Sequence, residues 1–179
     1  KADQRLRRYK ELIEKDKELC LGSYCFLWGQ KQESTATWHG MFLSNGNPTE
    51  AVDVMQFCWK GEWPESRAPS IKDISLNNIG WRKDHIIAPS TQATLTIKYL
   101  YHNNKKVIVE YVLYPEAFSN KIGGDIQKSP DPIKLEIINQ SDGQLTFVAP
   151  NKKGAYRLFA FVKNEKKQSS VANIPFLVE

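Results

Sequence analysis

Cysteine and histidine are scarce in this sequence, which has three of each among 179 residues. Cys25 and Cys58 have apolar neighbours, and an odd total does not suit a disulfide framework, so we predict small buried side chains. His39, His85 and His102 are far apart, and neither a CxxC pair nor an HExxH motif occurs. The sequence therefore indicates neither a metal site nor a cofactor.

Long apolar runs and strong charge bias are also missing. No apolar run approaches the roughly 18 residues of a membrane span, and no signal peptide is recognisable. The net charge of +5 comes from 25 basic against 20 acidic residues. The basic clusters 5–8 and 163–167 lack the interleaved aromatic residues on which single-stranded nucleic acid stacks. Solvated basic faces are therefore predicted, rather than a nucleic-acid partner.

The stretch from Leu21 to Phe42, LGSYCFLWGQKQESTATWHGMF, combines apolar and polar residues in an unusual way. Its apolar start, Ser23 to Trp28, predicts a strand buried on both faces, and a polar loop follows. Indole rings beside amides suit saccharides, because sugar C–H faces stack on flat rings while amides bind hydroxyls. An ordinary core strand followed by an ordinary loop is the alternative. The candidate substrate-binding residues are Trp28, Gln30, Gln32 and Trp38.

Helices are predicted on both sides of this stretch. The first spans 2–20 and is ended by Gly22, while Met41 to Leu43 form a short extended piece. The second runs from Pro48 or Thr49 to Lys60, with Thr49 as its N-cap and Gly61 at its end. Its predicted inner stripe is Ala51, Met55, Cys58 and Trp59.

From Ser70 onward the apolar period changes to two, which predicts an antiparallel β-sandwich. The seven predicted strands are centred on 71–76, 93–101, 107–114, 133–137, 145–149, 156–162 and 171–178. Tight connections are predicted at 102–105 and 164–167, and a long loop at 116–132. The predicted domain organisation is a helix-strand-helix segment over 1–62, a linker over 63–69 and a sandwich over 70–179.

Two parts of the chain resemble the C-terminal part of bacterial proteins similar to family-2 glycoside hydrolases. The stretch 21–42, with PTEAVDVMQFCWKGEWPESRAP, resembles the last strand, loop and helix of the TIM-barrel catalytic domain. The motifs VEYVLYPEAFSNKIGGD and FVAPNKKGAYRLFAFV resemble the immunoglobulin-like domain that often follows that barrel. The resemblance implies an α+β chain, in which an all-β immunoglobulin-like sandwich follows an α/β barrel remnant. It also explains why the predicted strand at 23–28 has no parallel neighbour. A full barrel has eight strands in about 250 residues, and residues 1–60 supply only one of those strands.

The resemblance implies that catalysis would need residues outside this chain. Retaining glycosidases use two carboxylates. In such barrels these carboxylates lie on earlier strands. Glu33 is the only carboxylate in the predicted cleft loop. The chain is thus expected to be the inactive C-terminal portion of a secreted, extracellular or periplasmic glycoside hydrolase. Carbohydrate is its expected partner. Trp28 resembles the indole that forms the floor of the sugar subsite in related barrels. The upstream barrel or a second copy of the chain would cover the predicted strand. The alternative is a stand-alone carbohydrate-binding or protein-interaction module without enzymatic activity.

Overall fold

The computed structural model describes residues 2–102, 106–118 and 127–179. A helix α1 (Ala2–Arg8) continues as a π-helical turn (Tyr9–Glu14), and a second helix, α2, spans Glu50–Lys60. The strands are β1 (Ser70–Leu76), β2 (Ile79–Gly80), β3 (Ile86–Ile87), β4 (Gln92–Leu100), β5 (Val107–Pro115), β6 (Glu136–Ser141), β7 (Gln144–Val148), β8 (Gly154–Asn164) and β9 (Ser169–Val178).

The strands form two packed sheets, so the predicted β-sandwich is confirmed. One sheet has the order β2-β1-β4-β7-β6 and the other the order β3-β9-β8-β5. Strand pairs are antiparallel except for β3 with β9. Alternate residues point between the sheets, as the period of two requires. Leu95, Phe147, Leu158 and Ile174 are among the fully buried side chains of this core.

Each of the seven predicted strands has a counterpart in these sheets, with one shift in position. The fourth begins at Glu136 rather than Ile133, because Ile133 instead donates its amide to Leu113 O (2.9 Å) across to the other sheet. The strands β2 and β3 have two residues each and are too short to produce a visible alternation. The predicted connection at 102–105 and loop at 116–132 lie partly outside the described residues.

The N-terminal helix is shorter than predicted. It ends at Glu14 rather than at residue 20, and Leu19 and Leu21 beyond it are exposed. An apolar residue supports a helix only where it packs against something, and these two do not. Gly22 therefore does not end a helix.

The prediction of a buried barrel strand at Ser23–Trp28 is wrong. No strand is formed there, and Tyr24 and Phe26 are 101% and 88% exposed. A strand buried on both faces needs parallel neighbours, and the described part of the chain supplies none for this stretch. The description α+β overstates the helical part, since the chain is mainly a β-sandwich with two short helical pieces.

Helix α2 has the predicted boundaries and caps. Thr49 Oγ1 accepts a hydrogen bond from Ala51 N (3.3 Å), and Gly61 adopts the left-handed conformation (φ 77°) in which a side chain would be strained. Ala51, Met55 and Cys58 are buried as predicted, but Trp59 is half-exposed. The buried face forms a second, smaller core with Ala2, Met41 and Val54.

Several hydrogen bonds fix residues 2–61, hereafter the N-terminal segment, and the following residues 62–69 against the sandwich. On α2, Asp53 Oδ2 accepts from Ala68 N (2.7 Å), while burial raises the pKa of this carboxyl group. In the turn after β8, Gln168 binds Ser66 through both its amide oxygen (2.6 Å) and its amide nitrogen (2.8 Å). These contacts hold the N-terminal segment in place, and clefts form where it meets the sandwich.

Candidate functional site

The outer face of strands β5 and β8 is aromatic. In β8, Leu158, Ala160 and Val162 point into the sandwich core, so the residues between them point outward. Phe159 and Phe161 are stacked (centroids 5.9 Å apart), and Tyr114 of β5 meets Phe159 edge to face (5.5 Å). These three rings form a continuous apolar floor on the outside of the sheet.

The N-terminal segment lies over this floor and leaves a cleft of about 310 Å³, which we call the junction cleft. On one side stand residues of the polar loop, including Gln32 and Ser34, and on the other the segment 129–132. Ser129 Oγ donates to Gln32 Oε1 (3.0 Å), and Ser34 N donates to Gln127 Oε1 (2.9 Å). These two bonds join the walls. Pyrrolidine rings complete the lining: Pro115, Pro130 and Pro132.

The loop wall of the junction cleft is held in a strained turn. Ser34 has φ 57°, a left-handed conformation that costs a non-glycine residue free energy. The turn is closed by backbone bonds between Glu33 and Thr35, with Thr35 N donating to Glu33 O (2.6 Å). Lys31 Nζ (3.0 Å) and His39 Nε2 (3.2 Å) flank the Glu33 carboxylate, and their hydrogen bonds lower its pKa. Tight local bonding thus fixes the direction of Gln32 and Ser34.

Charge in the junction cleft is largely paired. Arg157, on the same face of β8, binds Glu116 through Nε (2.9 Å) and Nη2 (2.9 Å) and donates from Nη1 to Asn173 Oδ1 (2.7 Å). A two-pronged ion pair of this kind is rigid and leaves the guanidinium occupied. Asp131 supplies an exposed carboxylate at the rim.

Among the described residues, the groups in the junction cleft that are available to a ligand include an amide and a phenol. Gln32 is 9% exposed; its Oε1 is used by Ser129, whereas its Nε2 makes no hydrogen bond within the described part of the chain. The described residues also show no hydrogen bond to the hydroxyl of Tyr114, which lines the same cleft. The site therefore combines flat rings with an amide donor, a phenol and the hydroxyl residues Ser34 and Ser44.

The four predicted site residues do not form one site. Gln32 alone lines the junction cleft. Trp28 packs edge to face on Phe42 (5.6 Å) and against Trp59 (5.7 Å), beside α2 rather than over the sheet. Gln30 Nε2 donates to Ala36 O (3.3 Å), and Trp38 is 56% exposed.

Sequence reasoning missed the aromatic floor itself. Tyr114, Phe159 and Phe161 are distant from Gln32 in sequence and come together only through sheet pairing. One signal was present: the run Leu158–Val162 is apolar at every residue, which is typical of a strand covered on both faces. That run indicates that something covers the outer face of β8.

The described residues contain no group of three or more His, Cys, Asp and Glu side chains able to hold a metal ion. Cys20, Cys25 and Cys58 are free thiols, and burial raises the pKa of both Cys25 and Cys58. Among the described helices none is long and apolar enough to cross a membrane.

No protein-family model and no curated protein matches this chain. Solved structures similar to it include PcoC, a methionine-rich copper resistance protein from Escherichia coli, at 12% identity. This match covers 63% of the present chain and 99% of PcoC, with a TM-score of 0.36. The soluble domain of PmoD from Methylocystis sp. matches at 13% identity over 62% of this chain and 97% of its own, also with a TM-score of 0.36. Murine CRIg matches at 7% identity over 62% and 96%, with a TM-score of 0.31.

These findings correct the predicted relationship to family-2 glycoside hydrolases, which is wrong. No strand forms at residues 23–28, where the last barrel strand was expected, and Tyr24 and Phe26 in that stretch are exposed. Two expectations depended on that relationship and are also wrong: the carbohydrate partner, and the role as a portion of a glycoside hydrolase. What stands is a β-sandwich with an N-terminal segment packed on its outer face.

Proposed function

We propose that this chain is a binding module without enzymatic activity, and that its junction cleft binds a short proline-containing segment of a partner protein. The observation that carries the proposal is the arrangement of three aromatic rings below an unused amide donor, Gln32 Nε2. Aromatic-lined grooves with a few placed donors are the usual sites for polyproline II peptides.

The floor of the junction cleft suits pyrrolidine rings. The chain's own Pro115, Pro130 and Pro132 already line the cleft beside Tyr114 and Phe159. A polyproline II segment is rigid before it binds, so it loses little conformational entropy on docking. A cleft of about 310 Å³ has room for a short stretch of such a segment rather than for a folded element.

The donors in the junction cleft match the second property of polyproline II. Such a segment has no internal hydrogen bonds, so its carbonyl groups are free to accept from a partner. Gln32 Nε2 and the Tyr114 hydroxyl are two groups of the cleft lining that can donate to them. A hydrogen bond of this kind contributes roughly 1 kcal/mol, which is about fivefold in affinity.

Copper binding is not proposed for this chain. Its two methionines, Met41 and Met55, are buried in the small core beside α2, where they pack against apolar side chains. Three expectations from the sequence remain predictions: an immunoglobulin-like strand arrangement, the domain boundaries at 62 and 69, and an extracellular or periplasmic location.

The proposal is tested by titrating hexaproline into the ¹⁵N-labelled protein and following amide resonances by NMR. We expect the side-chain amide of Gln32 and the backbone amides of 32–36 to shift. Gln32→Ala should weaken binding about fivefold, and Phe161→Ala should weaken it further because a ring of the floor is lost.

Gln30→Ala is the matched control. Gln30 lies on the same loop, but its amide is directed to Ala36 O rather than into the junction cleft. This variant should bind hexaproline as the wild type does. Absence of shifts around Gln32 at about 1 mM peptide, or equal losses in the Gln30 and Gln32 variants, would overturn the proposal.

A further inference from the structure

The outer edge of strand β9 is open along its middle. At one end Ser169 N donates to Pro48 O (2.9 Å), and at the other Leu177 N donates to His85 O (2.8 Å). Successive residues of a strand direct their backbone groups to opposite sides, so Val171 and Asn173 direct theirs to the same side as Ser169 and Leu177. No described strand pairs with β9 between these two bonds on that side.

Pro175 supports this assignment of sides. It is the next residue in the series Val171, Asn173, and a proline has no N–H to offer a neighbouring strand. Prolines within sheets occur at positions whose amide would face away from the ladder. The open edge therefore begins after Ser169 and loses its donors at Pro175.

A cleft of about 330 Å³ lies along this open edge, and we call it the edge cleft. The start of β1 forms its opposite wall, the N-terminal end of α2 one side, and the half-exposed Trp81 another. Ser170 also lines it; this residue is buried, and its hydroxyl has no hydrogen-bond partner among the described residues. Unpaired backbone and side-chain groups thus face a space that an extended chain can enter.

The edge cleft is acidic in a protein whose net charge is +5. Its lining carries the carboxylates of Glu50 and Asp73 and the ammonium group of Lys72. Lys72 Nζ lies 3.6 Å from Asp3 Oδ2 in an exposed ion pair, and its charge also acts on Glu50. Of the two carboxylates, burial raises the pKa of Glu50, and its contacts with Ser70 and Lys72 oppose that rise, whereas the exposed Asp73 remains free to attract a basic ligand.

We propose that the edge cleft binds an extended basic segment of a partner protein as an added strand on β9. Val171 and Asn173 would exchange backbone hydrogen bonds with the segment, and a Lys or Arg side chain would lie beside Glu50 and Asp73. At about 3.3 Å per residue, the eight steps from Ser169 to Leu177 span about 26 Å. Since both ends are occupied, about four or five residues of a partner fit between them.

The test uses the acetylated, amidated peptide Val-Lys-Val-Arg-Val as probe, with Val-Glu-Val-Glu-Val as its charge-reversed counterpart. NMR titration at about 1 mM peptide should shift the backbone amides of Val171 and Asn173 and slow their hydrogen exchange with the basic peptide only. Val171→Pro removes one edge donor without touching the bonds to β8, and it should weaken binding about fivefold or more. The variant Glu50→Gln with Asp73→Asn should weaken it roughly three- to tenfold.

Glu136→Gln provides the control, since Glu136 is an exposed carboxylate on β6 of the other sheet. Its affinity for the basic peptide should equal that of the wild type. Thermal unfolding of each variant shows whether the fold is intact, and Val171→Ala, which keeps the amide, should bind normally. Unshifted Val171 and Asn173 amides, or equal binding of the acidic peptide, would overturn the inference. Gln32→Ala leaves this site untouched, so failure here and failure of the junction cleft are separate results.

Discussion

Substitution of Asn164 tests how residues 62–69, which follow the N-terminal segment, are held on the sandwich. Asn164 is buried at the end of β8. Its Oδ1 accepts from Lys166 N (3.0 Å) and Gln168 N (3.0 Å), and its Nδ2 donates to Arg67 O (3.0 Å) and Gln168 Oε1 (2.8 Å). One side chain thus shapes the turn after β8 and ties residue 67 to it.

Asn164→Ala should lower the free energy of unfolding by about 2–4 kcal/mol. Four hydrogen bonds are lost at roughly 0.5–1.5 kcal/mol each, and water can replace only some of them because the site is buried. For a chain of this size the thermal midpoint should fall by about 5–15 °C. Asn164→Asp keeps the two accepting bonds but sets a carboxylate against Arg67 O and Gln168 Oε1. It should regain stability at low pH, where the protonated carboxyl group can donate again.

Urea unfolding followed by circular dichroism measures these differences, and hydrogen exchange of the amides at 66–70 shows whether the tie to residues 62–69 is released. Asn139→Ala, on the exposed strand β6, is the control and should change the free energy of unfolding by less than about 0.5 kcal/mol. An equally small change for Asn164→Ala would refute the reasoning.

Three further changes follow from the structure. Thr49→Ala removes the N-cap of α2 and should cost about 1–2 kcal/mol in urea unfolding, whereas Thr49→Ser should cost little. Burial lowers the pKa of His85, so the unfolded chain takes up a proton first. Thermal stability should therefore fall as the pH drops below about 6.5, and less steeply in His85→Gln. Phe147→Ala empties a fully buried site in the sandwich core and should cost about 3–5 kcal/mol by the same urea assay.

The sandwich and α2 could be predicted because their signals are local. Alternation along β4 and β7 reflects burial of one face, and Thr49 and Gly61 are caps with a direct backbone cause. The stretch 19–28 could not be predicted from its composition. Its apolar residues were interpreted as buried, yet burial depends on a neighbouring surface that the sequence does not reveal.

The candidate site could be predicted only in part, for a related reason. Gln32 belongs to the polar loop in which the sequence predicted binding residues, and it lines the junction cleft. The floor of that cleft comes from Tyr114, Phe159 and Phe161, which sheet pairing brings together. Trp28 and Trp38 carry the same chemistry as those rings, but the loop directs them elsewhere.

The central claim is that the junction cleft, rather than the exposed indoles, binds proline-containing segments. Intermolecular nuclear Overhauser effects between hexaproline and the protein test it most directly, because they identify the rings that the peptide touches. We predict effects from the proline ring protons to Tyr114 and Phe161. Effects to the exposed rings of Trp28, Trp38 and Trp59 in their place would contradict the account.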